Sequence, residues 1–339
     1  MNFRQYNNVT SITIPNSVTV TQPISVFMGM KNLVTATLPN RVRSLERSYF
    51  GCSNFSGPPT CGNYVTDMNY AYTSCRNMNG SPVCGPKVTR MTYAYAGCSN
   101  ITGDAACGDN VTNMHQAYAD CTSLSGNAAC GANVVDMSQA YWNCTNLSGN
   151  AACGTNVTNM NCAYYDCSNL TGSPVCGVNV TDMSSTYYLC SNLTGTPACG
   201  PNVTDMSLAY FGCGHFTRPV VGKSVTDATQ AYAFCTFENK HIFINKLPAN
   251  YSGLLQGTDV TIYIVGLSIS KAKSIAAKLF GVANSWRTSA LLPEDTYYDC
   301  YEGQHREYRD VKFYVFPSQG LYDLYRAKHT DVSFVNLVE

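Results

Sequence analysis

VTNMNCAYYDCSNLTGSPVCG, residues 157–177, is one copy of a unit that recurs along the chain at a fixed spacing. Its consensus is V-T-x-M-x-x-A-Y-x-x-C-x-x-L-x-G-x-x-x-C-G. One cysteine ladder runs Cys52, Cys75, Cys98, Cys121, Cys144, Cys167, Cys190 and Cys213, always 23 residues apart. A second runs from Cys61 to Cys199 with the same period, and tyrosines (Tyr49 to Tyr210) and methionines (Met68 to Met206) keep it too. A fixed period in this range predicts a solenoid in which each repeat is one coil stacked on the next. Val65, Met68, Tyr72, Cys75 and Met78 fall at steps of three and four. That spacing predicts a short extended V-T-x-M piece running into a helical turn with one face inward. The x-L-x-G-x-x-x-C-G segment reads as a second extended piece, closed at a corner by glycine and by the asparagine of N-V-T at 110, 156, 179 and 202. Those asparagines match the N-x-[ST] sequon and are read as structural, because they belong to the ladder.

Charged residues make up only 12% of the 339-residue chain, 21 basic against 21 acidic. A net charge of zero gives no general attraction to nucleic acid. The distribution is uneven. Residues 52–213 hold eight Asp against Arg76, Lys87 and Arg90, a net of −5, and residues 1–51 hold five Lys or Arg against Glu46, a net of +4. The N-terminus lacks an apolar stretch after a basic start, so no secretory signal is expected, and no 18-residue apolar run exists to insert into a membrane.

Of the 18 cysteines, fifteen sit on the two ladders, each beside its own copy in the next coil. This arrangement predicts reduced core thiols behaving as small apolar groups; some disulfides remain an alternative. A structural zinc site needs a tight C-x₂₋₄-C pair, which the nine-residue spacing of Cys52 and Cys61 does not supply. No metal or cofactor is expected.

Residues 9–18, VTSITIPNSV, and 30–42, MKNLVTATLPNRV, read as strands ending at Pro-Asn turns and as variants of the same coil. With V-T-x-[MI] and C-x-x-L around it, the form resembles the BspA-like leucine-rich repeats of bacterial surface proteins, some protists and gut bacteriophages. The resemblance covers residues 9 to about 237. It implies an α/β repeat solenoid, mostly β, with leucine-rich-repeat-like coils of 23 residues, and a non-catalytic protein that binds other proteins, cells or matrix. Residues 1–51 are expected to be divergent repeats or a cap, and 52–237 the regular solenoid. Strand–helix units in 238–339 (strands at 241–245, 260–265, 311–318 and 332–338; helices at 268–280 and 321–327) are expected to form an α+β capping or attachment region.

The residue after the ladder tyrosine changes from Thr73, Ala96 and Ala119 to Trp142, Tyr165, Tyr188 and Phe211. Four aromatics in successive coils stand about 5 Å apart. They predict either a surface for a sugar or a protein partner or a contact with the C-terminal region. Arg41, Arg43 and Arg47 are a candidate attachment cluster, or a solvated edge of an early coil. Cys300 and His305 are the only Cys–His neighbours outside the ladders, and adjacency alone does not make a nucleophile and base. No phosphate-binding loop, dinucleotide fingerprint or zinc-protease motif is present, so no enzymatic activity is expected.

The expected role is recognition or adhesion within a phage particle, as a fibre or tail-associated protein. Its expected partners are a protein or surface glycan on a host cell, neighbouring virion proteins or a second copy of the chain. The alternatives are an adhesin on a bacterial or protist cell surface and a purely structural virion component. The thiol reading has a direct measure. Denatured, unreduced protein is expected to take up about one thiol reagent per cysteine, and a count near zero would replace free ladders with disulfides.

Overall fold

In the computed structural model of the chain, all residues are described except 1, 2, 4, 7, 19–24, 282–296, 301–310 and 317. The elements in chain order are β1 (Ser11–Thr13), β2 (Thr35–Thr37), β3 (Thr194–Gly195), β4 (His215–Phe216), β5 (Thr236–Phe237), β6 (His241–Phe243), β7 (Thr261–Val265), α1 (Ile269–Phe280), β8 (Tyr297–Cys300), β9 (Val311–Phe316), α2 (Gln319–Lys328) and β10 (Phe334–Asn336). The pairs β1–β2, β3–β4 and β4–β5 are parallel, as stacked coils require. Between them, one parallel bridge per coil runs from Ser44 through Asp67, Arg90 and on to Asn250. The architecture is a leucine-rich-repeat-like solenoid.

The segment after the bridge is not the helical turn that the spacing suggests. Ala71 N donates to Met68 O, Cys75 N to Tyr72 O and Met78 N to Cys75 O, which are successive tight turns. Tyr70 and Ser74 take left-handed backbone, with φ 54° and 62°. The alternate amides of Met68, Tyr70, Tyr72 and Ser74 point along the stack and donate to the carbonyls of Arg90, Thr92, Ala94 and Ala96 at 2.7–2.9 Å. Steps of three and four arise here because a chain of four-residue turns also returns side chains to one side. Paired left-handed residues recur from Ser25 and Gly29 to Gly253 and Gly257, eleven times among the described residues. One further coil therefore lies beyond residue 237.

Inside the coils, Val65, Met68, Tyr72, Cys75 and Met78 and their equivalents are buried. The tyrosine rings stack at 4.9–5.5 Å between centroids from Tyr49 to Tyr232. Each phenol also serves the second extended piece, which forms no regular strand in most coils. Tyr141 Oη donates to Ala129 O at 2.6 Å and accepts from Ala129 N at 2.9 Å, and Tyr95 treats Val83 the same way. The inner cysteines are more than small apolar groups. Cys75 Sγ donates to Tyr49 O at 3.0 Å, the later inner thiols repeat this to the tyrosine carbonyl of the preceding coil, and Cys52 Sγ donates in the same way to Phe27 O. The outer ladder is half-buried: Cys130 Sγ, for example, accepts from Gly154 N at 3.2 Å. All 17 cysteines outside β8 are free thiols. The N-V-T asparagines brace the corner as expected, with Asn156 Nδ2 donating to Ala132 O at 3.0 Å and Asn202 Nδ2 to Val178 O at 2.9 Å.

At the C-terminal end the order β10-β6-β7-β9-β8 makes one sheet, antiparallel only at β8–β9. α1 starts at Ser268, whose side chain accepts from Lys271 N, and stops at Gly281 with φ 64°. Its last carbonyls receive the amides of the final coil, Gly253 N on Lys278 O and Leu255 N on Leu279 O. A helix end thus replaces the next coil and satisfies donors that would otherwise be orphaned. β10 enters the stack itself. It pairs with β6 on one side, while Val338 bridges Val221 on the other. Two coils are held apart there by the width of one strand. No helix among the described residues is long and apolar enough to cross a membrane.

Burial raises the thiols of Cys61, Cys176 and Cys199 to about 11 and that of Cys52 to about 12, and it raises the ladder phenols as well. The folded state therefore holds these protons more tightly than the unfolded chain. Their contribution to stability is complete below about pH 9 and is lost as pH rises towards 12. Thermal melts from pH 7 to 11 are expected to show a flat midpoint up to about pH 9 and a progressive fall above it. A midpoint constant to pH 11 would be incompatible with protonated buried ladders.

Candidate functional site

Side chains that alternate outward from the tight turns form a face with two parallel rows. The first row follows the ladder tyrosine and holds the predicted aromatics. Tyr165 and Tyr188 stack at 4.5 Å, Tyr188 and Phe211 at 4.7 Å, and Trp142 and Tyr165 at 6.1 Å. Phe211 meets Phe234 edge-on at 5.2 Å, and Phe234 is half exposed. All four predicted residues are partly exposed and thus lie on one face as a continuous stack. Burial, together with Tyr188 beside it, raises the Tyr165 phenol.

The second row stands two residues after the ladder methionine, and the sequence reading missed it. Between Ser25 at one end and Gly253 at the other it runs Arg47, Tyr70, Tyr93, Gln116, Gln139, Cys162, Ser185, Leu208 and Gln230. Tyr70 and Tyr93 stack at 4.8 Å and 8°, the Arg47 guanidinium lies 5.0 Å from the Tyr70 centroid, and His115 meets Tyr93 edge-on. Gln116 donates to Gln139 at 2.6 Å. The signal was present in M-N-Y-A-Y and M-T-Y-A-Y, where a tyrosine precedes the core pair. It is hard to read because only the fold shows that this position points outward.

The nine residues from Arg47 to Gln230 all have left-handed backbone, φ 51–57°. Such backbone costs an L-residue roughly 1–2 kcal/mol and costs glycine little. Glycine does serve at the other left-handed position in several coils, at Gly51, Gly97 and Gly212. Nine successive side chains are nevertheless kept in the second row.

The basic cluster is dispersed. Arg41, Arg43 and Arg47 are all exposed, but only Arg47 stands on this face, where it also approaches Glu46 at 3.9 Å. Arg43 occupies the threonine position of its coil; its carbonyl accepts from Thr66 N. Cys300 ends β8, and His305 lies outside the described residues. Three other histidines serve locally: His115 Nδ1 contacts Ser138 Oγ, His215 Nδ1 contacts Thr236 Oγ1 and His329 Nδ1 contacts Tyr325 O. Among the described residues no group of three His, Cys, Asp or Glu is placed to hold a metal ion. A polar cleft of about 750 Å³ opens where β6 and β10 begin, between Thr217, Arg218, Glu238, Lys240, His241 and Asp331. Arg218 is paired with Glu339 and Lys240 with Asp259.

The family described as "BspA type Leucine rich repeat region" matches residues 1–125 in six copies. No curated protein matches the chain. Among solved structures, a leucine-rich repeat protein from Bacteroides ovatus ATCC 8483 is similar at 14% identity and a TM-score of 0.38, over 77% of this chain and 80% of that one.

The backbone strain of the second row is measurable. Ser185→Gly is expected to raise stability by about 0.5–1 kcal/mol in urea denaturation, the relief of left-handed strain less the entropy of a new glycine. Equal or lower stability would mean that the turn is not strained there.

Proposed function

We propose that this chain, a BspA-like leucine-rich-repeat protein, is a non-catalytic recognition module whose turn face binds another protein. Repeats of this type act as protein-interaction or adhesion modules and are typically non-catalytic. The observation that carries the reading is the second row. A face that retains nine side chains against their backbone preference, beside a stack of partly exposed aromatics, is under a demand that core packing does not impose. The stacking also favours protein over sugar. Tyr165, Tyr188 and Phe211 cover one another's faces, so they present edges outward, whereas a sugar ring packs on an open aromatic face.

The proposed setting is a phage particle, where the chain would serve as a fibre or tail-associated protein touching a host surface or a neighbouring virion protein. Free thiols that donate hydrogen bonds along the inner ladder support assembly in a reducing cytosol followed by release on lysis. A cell-surface adhesin is the second reading, supported by the repeat type.

Changing Tyr165 and Tyr188 together to serine is expected to leave the circular dichroism spectrum intact, because each coil keeps its inward Tyr, Met and Cys. Co-sedimentation with particles or cells of the source should weaken by tenfold or more, the scale of buried aromatic hot spots. Undiminished co-sedimentation of the folded variant would remove the turn face as the binding surface.

A further inference from the structure

We propose that the outer cysteine ladder, one residue per coil from Cys61 to Cys199, binds soft monovalent metal ions of the Cu(I) and Ag(I) class. Each ion is held between the sulfurs of two adjacent coils. The ladder lies on the second extended piece of the coil and is not part of the turn face.

The two ladders have opposite hydrogen-bonding roles. An inner thiol is buried and gives its proton to a tyrosine carbonyl, as Cys75 does at 3.0 Å. An outer sulfur is half-buried and accepts. Gly108 N donates to Cys84 Sγ, Gly131 N to Cys107 Sγ and Gly154 N to Cys130 Sγ, each at 3.2 Å. The outer thiol's own contact with a carbonyl, that of the glycine after it, is long, 3.6–3.9 Å. An amide aimed at a sulfur favours the thiolate, the form that ligates a metal. The glycine after each outer cysteine makes this approach possible. A Cβ at Gly85, Gly177 or Gly222 would meet the sulfur of the preceding coil first, at 2.8–3.0 Å, and none of the three has left-handed backbone. These glycines serve the close approach of amide to sulfur, not a reversal of the chain.

The outer sulfurs form a row. Equivalent atoms of successive coils are one coil step apart, and the ladder tyrosine rings, which take the same step, lie at 4.9–5.5 Å. Each outer thiol feels the charge of its neighbours: Cys61 that of Cys84, Cys107 that of Cys84 and Cys130, Cys153 that of Cys130 and Cys176, and Cys176 that of Cys199. An ion in linear two-coordination sets its sulfurs about 4.6 Å apart, twice a metal–thiolate bond of roughly 2.3 Å. Small rotations of the cysteine side chains close the remaining difference.

The row also selects the ion. Among the described residues no three His, Cys, Asp or Glu are placed to share one metal, so zinc, which takes four ligands, has no place here. Soft ions that prefer thiolate and thioether do. A thioether stands beside the row: Cys61 Sγ is 3.6 Å from Met68 Sδ, and Cys153 Sγ is 3.6 Å from Met160 Sδ. On binding, two S–H protons pass to solvent and one monovalent ion joins two thiolates. The site keeps one negative charge, which the glycine amides offset. Seven sulfurs in a row make three pairs, so three ions per chain are expected.

The test is a titration of the reduced full chain with Cu(I) under argon, with bicinchoninate as competitor and copper per chain read by native mass spectrometry. Two triple variants keep the same number of outer thiols. C84S with C130S and C176S leaves no two in adjacent coils and is expected to retain no copper against the competitor. C61S with C84S and C199S leaves four in adjacent coils and is expected to retain two ions. If either triple variant fails to fold by circular dichroism, single changes replace them: C84S is expected to lose one ion and C61S none. Absence of competitor-resistant copper on the full chain overturns the site. Equal retention by the two triple variants, or by the two single ones, overturns it as well, because binding would then follow the number of thiols and not their adjacency.

Discussion

The hydrogen bonds that pass from one coil to the next across the tight turns hold this structure together. Four alternate amides per coil, those of Met68, Tyr70, Tyr72 and Ser74 in one copy, leave the coil for the carbonyls of its neighbour. The intervening amides close turns within the coil. Both sets can be satisfied only if two residues per coil adopt left-handed backbone, and these recur through the stack. Regular strands are consequently scarce although the stacking is parallel throughout. Each coil satisfies its neighbour, so the array cannot end without a substitute, and the carbonyls at the end of α1 supply one.

The same constraint explains the composition of the interior. With the backbone tied up on the turn side, the return side has few ladder bonds of its own. The stacked tyrosines reach across and satisfy both backbone groups of one residue there, as Tyr141 does for Ala129. A leucine could fill the space but would leave that donor and acceptor unserved, at a cost on the order of 1–3 kcal/mol. The inner cysteines add a weak donor to a tyrosine carbonyl that already accepts one amide. They are small enough to stack at one-coil spacing, and burial keeps them protonated. The fifteen ladder cysteines therefore follow from coil geometry and need no oxidative cross-linking.

The outward face is where the constraint leaves a choice. Its backbone is fixed, its side chains are free, and the side chains differ from coil to coil while the interior stays constant. Asp67, Asp136, Asp182 and Asp205 near this face are partly committed to backbone, each accepting the amide two residues on. The rings of the two rows and the charges around them are what a partner meets.

The 23-residue period and the identity of the inward ladders were legible in the sequence, because stacked coils must repeat whatever they bury. The first aromatic row was legible for the converse reason: it varies where its neighbours do not. The C-terminal helices were also legible, since Ser268 and Gly281 are local signals that act within a few residues. The left-handed turns were hidden, because a run of tight turns and a helix share the same apolar spacing and only the destination of each amide separates them. The outward direction of Tyr70 and Tyr93 was hidden with them. The place of β10 between Val221 and β6 was out of reach as well: it joins residues more than 90 positions apart, and strand pairing at that range leaves no periodic mark. Sequence determined what is repeated and buried, and tertiary structure decided which way the remaining side chains point and where the stack opens.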